Sequence, residues 1–170
     1  MPHILLGLGS NLGDRKANLK RALDLLTPHL KPRAISSLYE TQPVGYEQQP
    51  DFVNAALLGE TQESPERVLT LCKEVEAALG RGHGPRYGPR PADVDLLFYG
   101  NLVTNTPDLT LPHPRLAERA FVLVPLAEIA PEFMHPVLGR TAGQLLAGLR
   151  DTGGVRLWEG PGWWLGARCS

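Results

Sequence analysis

The sequence lacks any apolar run of the roughly 18 residues needed to cross a bilayer, so no transmembrane helix is expected. Its first residues, Met1-Pro2-His3-Ile4-Leu5-Leu6, have no charged leader region and no cleavage site, which argues against a secretory signal. Cysteine is scarce. Cys72 and Cys169 stand far apart, in no metal or redox spacing, and point to a reduced, cytoplasmic compartment. An excess of one charge is also missing: 17 basic residues face 18 acidic ones. A generic nucleic-acid binder is usually more basic, so neither nucleic acid nor membrane is an expected partner. What is abundant is glycine and proline, 18 and 16 of 170 residues, which predicts long loops rather than a helical bundle. With 42% hydrophobic and 21% charged residues, the chain is long enough for one globular core.

Along the chain, His3 to Leu8 reads as a buried strand ending in a Gly9-Ser10-Asn11 turn. Gly7 to Gly13 does not fit a dinucleotide fingerprint, because the third glycine comes one residue late, and it reads as a strand-to-helix turn. Leu19, Ala22, Leu23, Leu26 and Leu30 recur at helical spacing, with Asp14 or Asn11 as cap and Pro28 ending the helix near Leu26. Ala34 to Tyr39 is β-like. Phe52 to Leu58 is a further strand with Phe52, Asn54 and Ala56 on one face. Ser64 caps a second helix, Pro65 opens it, Val68, Cys72, Val75 and Leu79 form its stripe, and Gly80 ends it. After a basic loop from Arg81 to Arg90, Asp93 to Tyr99 is a strand. Helices are expected over about Arg115–Ile129 and Thr141–Leu149. The order β-α-β-β-α-β predicts an α+β, ferredoxin-like core, an antiparallel sheet with helices packed on it and long active-site loops. Residues 1–150 read as one domain and 151–170 as a tail carrying Trp158, Trp163 and Trp164. The tail either covers core or makes a dimer contact; a monomer is the simpler expectation.

The chemistry concentrates in Arg86-Tyr87-Gly88-Pro89-Arg90-Pro91-Ala92-Asp93-Val94-Asp95. In a strand, Asp93 and Asp95 share a face with Cα atoms roughly 6–7 Å apart, while Val94, Leu96 and Phe98 point into the core. Two such carboxylates either pair with Arg86 and Arg90 or hold Mg²⁺, whose remaining positions go to water and phosphate oxygens. From Ala77 to Ala92 there is no acidic residue, yet Arg81, His83, Arg86 and Arg90 all lie there. Arginine forks and glycine amides suit phosphate, so the segment has the parts of a Mg–polyphosphate site. Tyr87 either stacks on a flat ring or covers core. His113, six residues before Arg119, is either a phosphate-directed partner of that arginine or a loop residue.

Taken together, Gly9-Ser10-Asn11-Leu12, Ser36 to Thr41, Gln49 to Ala56, Arg86 to Leu97, and Leu111-Pro112-His113 through Phe121 resemble the 6-hydroxymethyl-7,8-dihydropterin pyrophosphokinases of folate biosynthesis, from about Ile4 to Phe133. The resemblance implies transfer of pyrophosphate from ATP to the pterin hydroxymethyl oxygen, giving AMP. It assigns Asp93 and Asp95 to two Mg²⁺ ions. Arg81 and Arg90 join them as catalytic groups on the ATP phosphates. It places Leu69, Glu76, Leu96, Thr110, His113 and Arg119 around ATP, and Tyr87, read as a stacking ring in the same loop, joins the expected ATP-binding residues. The pterin would meet Phe52, Phe121 and the Asn54 amide, with Thr41, Pro43, Val44 and Gly45 offering main-chain contacts. Aromatic faces and a fixed amide suit a flat, polar-edged ring. The chain departs from the pattern at His83, where a second phosphate-directed arginine is frequent, and at Asp108 and Pro114. Two other readings stay open: a Mg-dependent phosphodiesterase using the same carboxylates, and an RNA-binding α+β module.

Overall fold

In the computed structural model, residues 2–41, 51–80, 91–150 and 154–164 are described. Strand β1 (His3–Ser10) sends Ile4, Leu6 and Leu8 to one side of the sheet. There they meet Leu19, Ala22, Leu23 and Leu26 of helix α1 (Arg15–Leu26) and Val68, Leu71, Cys72 and Val75 of helix α2 (Pro65–Ala78). Both helices start as their sequences dictate. The Asp14 carboxylate accepts from the Ala17 amide at 3.1 Å, and Ser64 Oγ accepts from the Arg67 amide at 3.1 Å, with Pro65 following. Gly80, at φ +95°, supplies the left-handed residue that stops α2.

Strands β2 (Lys31–Ile35), β3 (Leu38–Thr41), β4 (Phe52–Glu60), β5 (Asp93–Tyr99) and β8 (Val155–Glu159) complete one sheet, in the order β5-β1-β4-β3-β8 with β2 also on β4. Every pairing is antiparallel. With β2 and β3 as two halves of one rung, this is the α+β ferredoxin-like topology expected. A small hairpin, β6 (Thr104–Asn105) and β7 (Thr110–Leu111), lies beside the edge strand β5. Helices α3 (Ala120–Ile129) and α4 (Ala142–Ala147) cover the other sheet face, where Leu5, Leu97 and Phe98 join Leu116, Leu123, Leu126 and Leu145.

Four local expectations need correction. The first strand runs on past Leu8 to Ser10, so Gly9 and Ser10 belong to the sheet rather than to a turn. The β-like stretch Ala34–Tyr39 is split at Ser36-Ser37. Ser36 Oγ accepts from the Ala56 amide at 2.8 Å, while the Ser37 amide turns away to the Glu128 carboxylate on α3 at 3.0 Å. Phe98 does not share a face with Val94 and Leu96. The β1–β5 register shifts at Leu5/Leu6, leaving Leu97 as an extra residue and turning Phe98 toward α3 and α4. The helix expected over Arg115–Ile129 is broken. Leu116–Glu118 is a 3-10 turn and Arg119 is extended, at φ −115° and ψ 107°. Residues two apart cannot share a helical face. The extended Arg119 therefore lets Arg119 and Phe121 reach the same cavity.

Of residues 151–170, β8 lies on the outer side of β3, and beyond it Trp163 is buried, its Nε1 donating to the Ser36 carbonyl at 2.8 Å. Among the described residues, no helix is long and apolar enough to cross a membrane.

His135 is buried against Phe98, and its Nδ1 accepts from the Val137 and Leu138 amides at 3.1 and 3.0 Å. Burial holds its pKa below the ordinary value of 6.5. The unfolded chain therefore binds a proton that the folded chain refuses. His135's contribution is complete above about pH 6.5 and shrinks as pH falls below it. The denaturant midpoint should drop between about pH 7.5 and pH 5.5, and drop less in His135→Asn. An equal drop in both would contradict this.

Candidate active site

A cavity of about 490 Å³ opens on the α3 side of the sheet. Its floor follows from the alternation of β1. Leu6 and Leu8 face the core, so Gly7 and Gly9 face the cavity and leave the central strand bare. In register with them, Asp95 and Asp93 stand on β5 at one side, and Ala56 and Asn54 on β4 at the other. The close approach at Gly9 matters most: a Cβ there would sit 2.8 Å from Asn54 Oδ1. Glycine is required at that position to leave the amide its place.

Asn54 is buried and its Nδ2 donates to Thr41 Oγ1 at 2.9 Å. That bond orients the amide, with Oδ1 held beside Gly9. Thr41, Phe52 and Asn54 thus form one flank of the cavity. The first turn of α3 forms another, with Ala120, Phe121 and Val122 lining it and the Arg119 guanidinium 5.6 Å from the Phe121 ring centre. A helix start favours negative charge nearby. Arg115, Arg119 and Glu118 line the same space.

The predicted residues Thr41, Phe52, Asn54, Asp93, Asp95, Arg119 and Phe121 therefore converge on one cavity. Leu69, Glu76, Leu96, Thr110 and His113 do not line it. Leu96 is buried beneath the sheet and Leu69 packs against the same cluster. Glu76 accepts from the Val94 amide at 2.8 Å, which ties α2 to the strand carrying the two aspartates. Thr110 is on β7. The His113 amide donates to the Leu97 carbonyl, and the Arg115 amide donates to His113 Nδ1 at 3.4 Å. Burial lowers the His113 pKa; Asp95 opposes this, and Arg119 and Arg115 add to it. Arg81, Tyr87, Arg90, Pro43, Val44 and Gly45 lie outside the described residues, as do His83 and Arg86.

Cys72 lies in the core below the aspartates. Burial first, then the charges of Glu76 and Asp95, push its thiol up to about 12. It is a neutral packing group at any ordinary pH.

Sequence reasoning missed Gly7, Gly9, Arg115, Glu118 and Val122 as lining residues. A period-two reading of Gly7 and Gly9 against Leu6 and Leu8 would have found the bare floor. Nothing in the sequence marks Arg115.

Residues 5–131 match the model of the 7,8-dihydro-6-hydroxymethylpterin-pyrophosphokinase (HPPK) family. The chain belongs to the HPPK family. It is 40% identical to the 2-amino-4-hydroxy-6-hydroxymethyldihydropteridine pyrophosphokinase of Bacillus subtilis, over 91% of this chain and 89% of that protein. It is 44% identical to the protein of the same name from Methylorubrum extorquens, over 90% and 97%. The crystal structure of wild-type Plasmodium falciparum HPPK-DHPS with pteroate has a similar fold, with a TM-score of 0.71 at 19% identity. That likeness covers 86% of this chain and 42% of the Plasmodium one. Family membership makes the protein an ATP-dependent diphosphotransferase of folate synthesis, as the ordered sequence blocks implied.

Proposed function

We propose that the cavity is where pyrophosphate passes from ATP to 6-hydroxymethyl-7,8-dihydropterin, and that Asp93 and Asp95 hold the Mg²⁺ ions of that reaction. The observation that carries this is one space with ring faces, an amide and an acidic end: Phe52 and Asn54 on β4 stand across bare glycine from Asp93 and Asp95 on β5, with Thr41 beside Asn54 and with Arg119 and Phe121 next to each other on a further flank. The acidic end suits Mg²⁺ by its chemistry. It offers two hard carboxylates on alternate residues of one strand, and no group of three or more His, Cys, Asp or Glu able to hold a metal occurs among the described residues. Mg²⁺ prefers few protein ligands, with water and phosphate oxygens completing its octahedron. When bound, the ions neutralise the triphosphate and stabilise the charge developing on its oxygens.

The remaining work falls to this chain's residues. Asn54 offers the pterin edge an acceptor and a second N–H, in an orientation fixed by Thr41. Phe52 and Phe121 supply ring faces. So held, the pterin hydroxyl attacks the β-phosphorus in line. The bond from that phosphorus to the oxygen shared with the α-phosphate breaks, and AMP leaves. Arg119 meets the phosphate charge, and the loop residues Arg81, Arg90 and Tyr87 belong to the same ATP reading. His113, whose Nδ1 accepts from the Arg115 amide, has Nε2 left to donate to a phosphate oxygen. Leu69, Glu76, Leu96 and Thr110 belong to the nucleotide side. Nothing in the arrangement demands a strong base, and positioning with charge neutralisation carries phosphoryl-type transfer.

Two experiments follow. Incubation with ATP, Mg²⁺ and the hydroxymethyl dihydropterin should give AMP and the pterin diphosphate. ATP breakdown without pterin would instead support a phosphodiesterase. Separately, Gly9→Ala should push the Asn54 amide off its bond to Thr41 and weaken pterin binding about tenfold. Unchanged affinity in calorimetry would remove Gly9 and Asn54 from the pterin site.

A further inference from the structure

We infer that Arg156, on the C-terminal strand β8, is a positioning residue for the pterin end of the cavity. With Arg15 it clamps Glu40 and Asp51, and so fixes Thr41 and Phe52, their immediate neighbours in the chain. The inference rests on the pterin reading of the cavity given above.

The clamp is explicit in the hydrogen bonds. Arg156 Nη2 donates to Glu40 Oε1 at 2.9 Å and to Asp51 Oδ2 at 3.0 Å. Arg15 Nη1 donates to Glu40 Oε2 at 2.9 Å and to the Asp51 carbonyl at 2.8 Å. Two guanidinium groups thus join two points of the chain that ten intervening residues, 41–50, separate. Each point adjoins a cavity residue. Glu40 precedes Thr41, which holds Asn54, and Asp51 precedes Phe52. Thr41 and Phe52 are register partners across β3 and β4, and Thr41 pairs with Val155 on the other side. Strand alternation turns Glu40 to the opposite face from Thr41, so the clamp sits behind the cavity, against the first residue of α1.

The network has more behind it than an exposed ion pair. Arg156 itself is 51% exposed, but the Arg15 and Glu40 side chains it joins are each only 21% exposed, and the Arg15 guanidinium lies 5.1 Å from the Trp158 ring centre. The Glu40 carboxyl is held below the ordinary range, by Arg156 first, against the opposing effect of burial, and then by Arg15. One nitrogen of the guanidinium serves both carboxylates, and the rigid plane of the group keeps its N–H bonds directed at them. Strand β8 has other attachments, because Lys16 Nζ donates to Glu159 and Trp163 Nε1 donates to the Ser36 carbonyl. Removing Arg156 therefore leaves the strand docked and the Arg15 bridge in place, but takes away the bond that ties the Asp51 carboxylate to Glu40. The family match ends at residue 131, before this strand, so Arg156, unlike Arg15, Glu40 and Asp51, comes from outside the matched stretch.

The test uses the full chain and steady-state kinetics with ATP and the hydroxymethyl dihydropterin. In Arg156→Ala, KM for the pterin should rise about fivefold, with kcat and KM for ATP changed less than about twofold and Tm nearly unchanged. Arg156→Lys should recover only part of the loss, and Glu40→Gln should shift the pterin KM in the same direction. Arg33→Ala, which breaks a surface ion pair to Glu60 elsewhere on the sheet, should leave all three parameters alone. An unchanged pterin KM in Arg156→Ala overturns the inference. So does a rise shared equally by both KM values, which marks a general structural role. Failure of the wild type to make AMP from the pterin would instead sink the reading on which the inference stands.

Discussion

Asp95→Ala should abolish AMP formation, by about a thousandfold or more, without unfolding the protein. Asp95 stands on the middle of β5, facing the bare floor at Gly7 and pairing with it in register. The backbone ladder that holds the strand does not depend on its carboxylate. What depends on it is the acidic end of the cavity, which has two carboxylates and several cationic neighbours. With one removed, Arg115 and Arg119 still attract the triphosphate. Nucleotide affinity should therefore fall far less than turnover, a separation that marks loss of transition-state rather than ground-state stabilisation. Asp95→Asn keeps the shape and removes the charge, and should be nearly as inactive. Normal AMP production by either variant, with Tm unchanged, would rule out the carboxylate pair as the metal site.

Asn54→Ala should weaken pterin binding by about 2–3 kcal/mol, roughly 30- to 150-fold, because the polar edge of a buried ring loses its partner. The same substitution strands Thr41 Oγ1, which accepts the Asn54 amide at 2.9 Å. Thr41→Val separates the two effects. It keeps Asn54 but frees its amide to turn, and should cost less than Asn54→Ala. Calorimetric titration with the dihydropterin in the presence of a non-hydrolysable ATP analogue distinguishes these outcomes. Equal affinity in wild type and Asn54→Ala would place the pterin elsewhere.

What could be read from the sequence was what local chemistry decides. Asp14 and the Ser64-Pro65 pair mark helix starts by a mechanism contained within three residues, and apolar stripes such as Val68, Cys72 and Val75 show which side is buried. Asp93 and Asp95 share a face because a strand has a period of two, and they do share the cavity. The errors all involve distant partners. Ser36 and Ser37 break their strand because Glu128, 91 residues away, and Trp163, 127 residues away, take up their backbone groups. Phe98 changes face through a register shift against β1 that its own sequence does not encode. Arg119 stands outside the helix in extended backbone, and with Phe121 it lines a cavity whose other walls are the distant strands β1, β4 and β5. Trp158 is legible only as part of a tail that covers core or makes a dimer contact, and Arg156 not at all, because their partners, Arg15, Glu40 and Asp51, lie more than a hundred positions earlier.

The most direct test is a crystal structure of the protein with a non-hydrolysable ATP analogue, the dihydropterin and Mn²⁺ in place of Mg²⁺, read by anomalous scattering. Mn²⁺ peaks should appear between Asp93, Asp95 and the phosphates, with the pterin ring against Asn54, Phe52 and Phe121. Metal-free carboxylates with the nucleotide bound in a different part of the molecule would contradict the assignment.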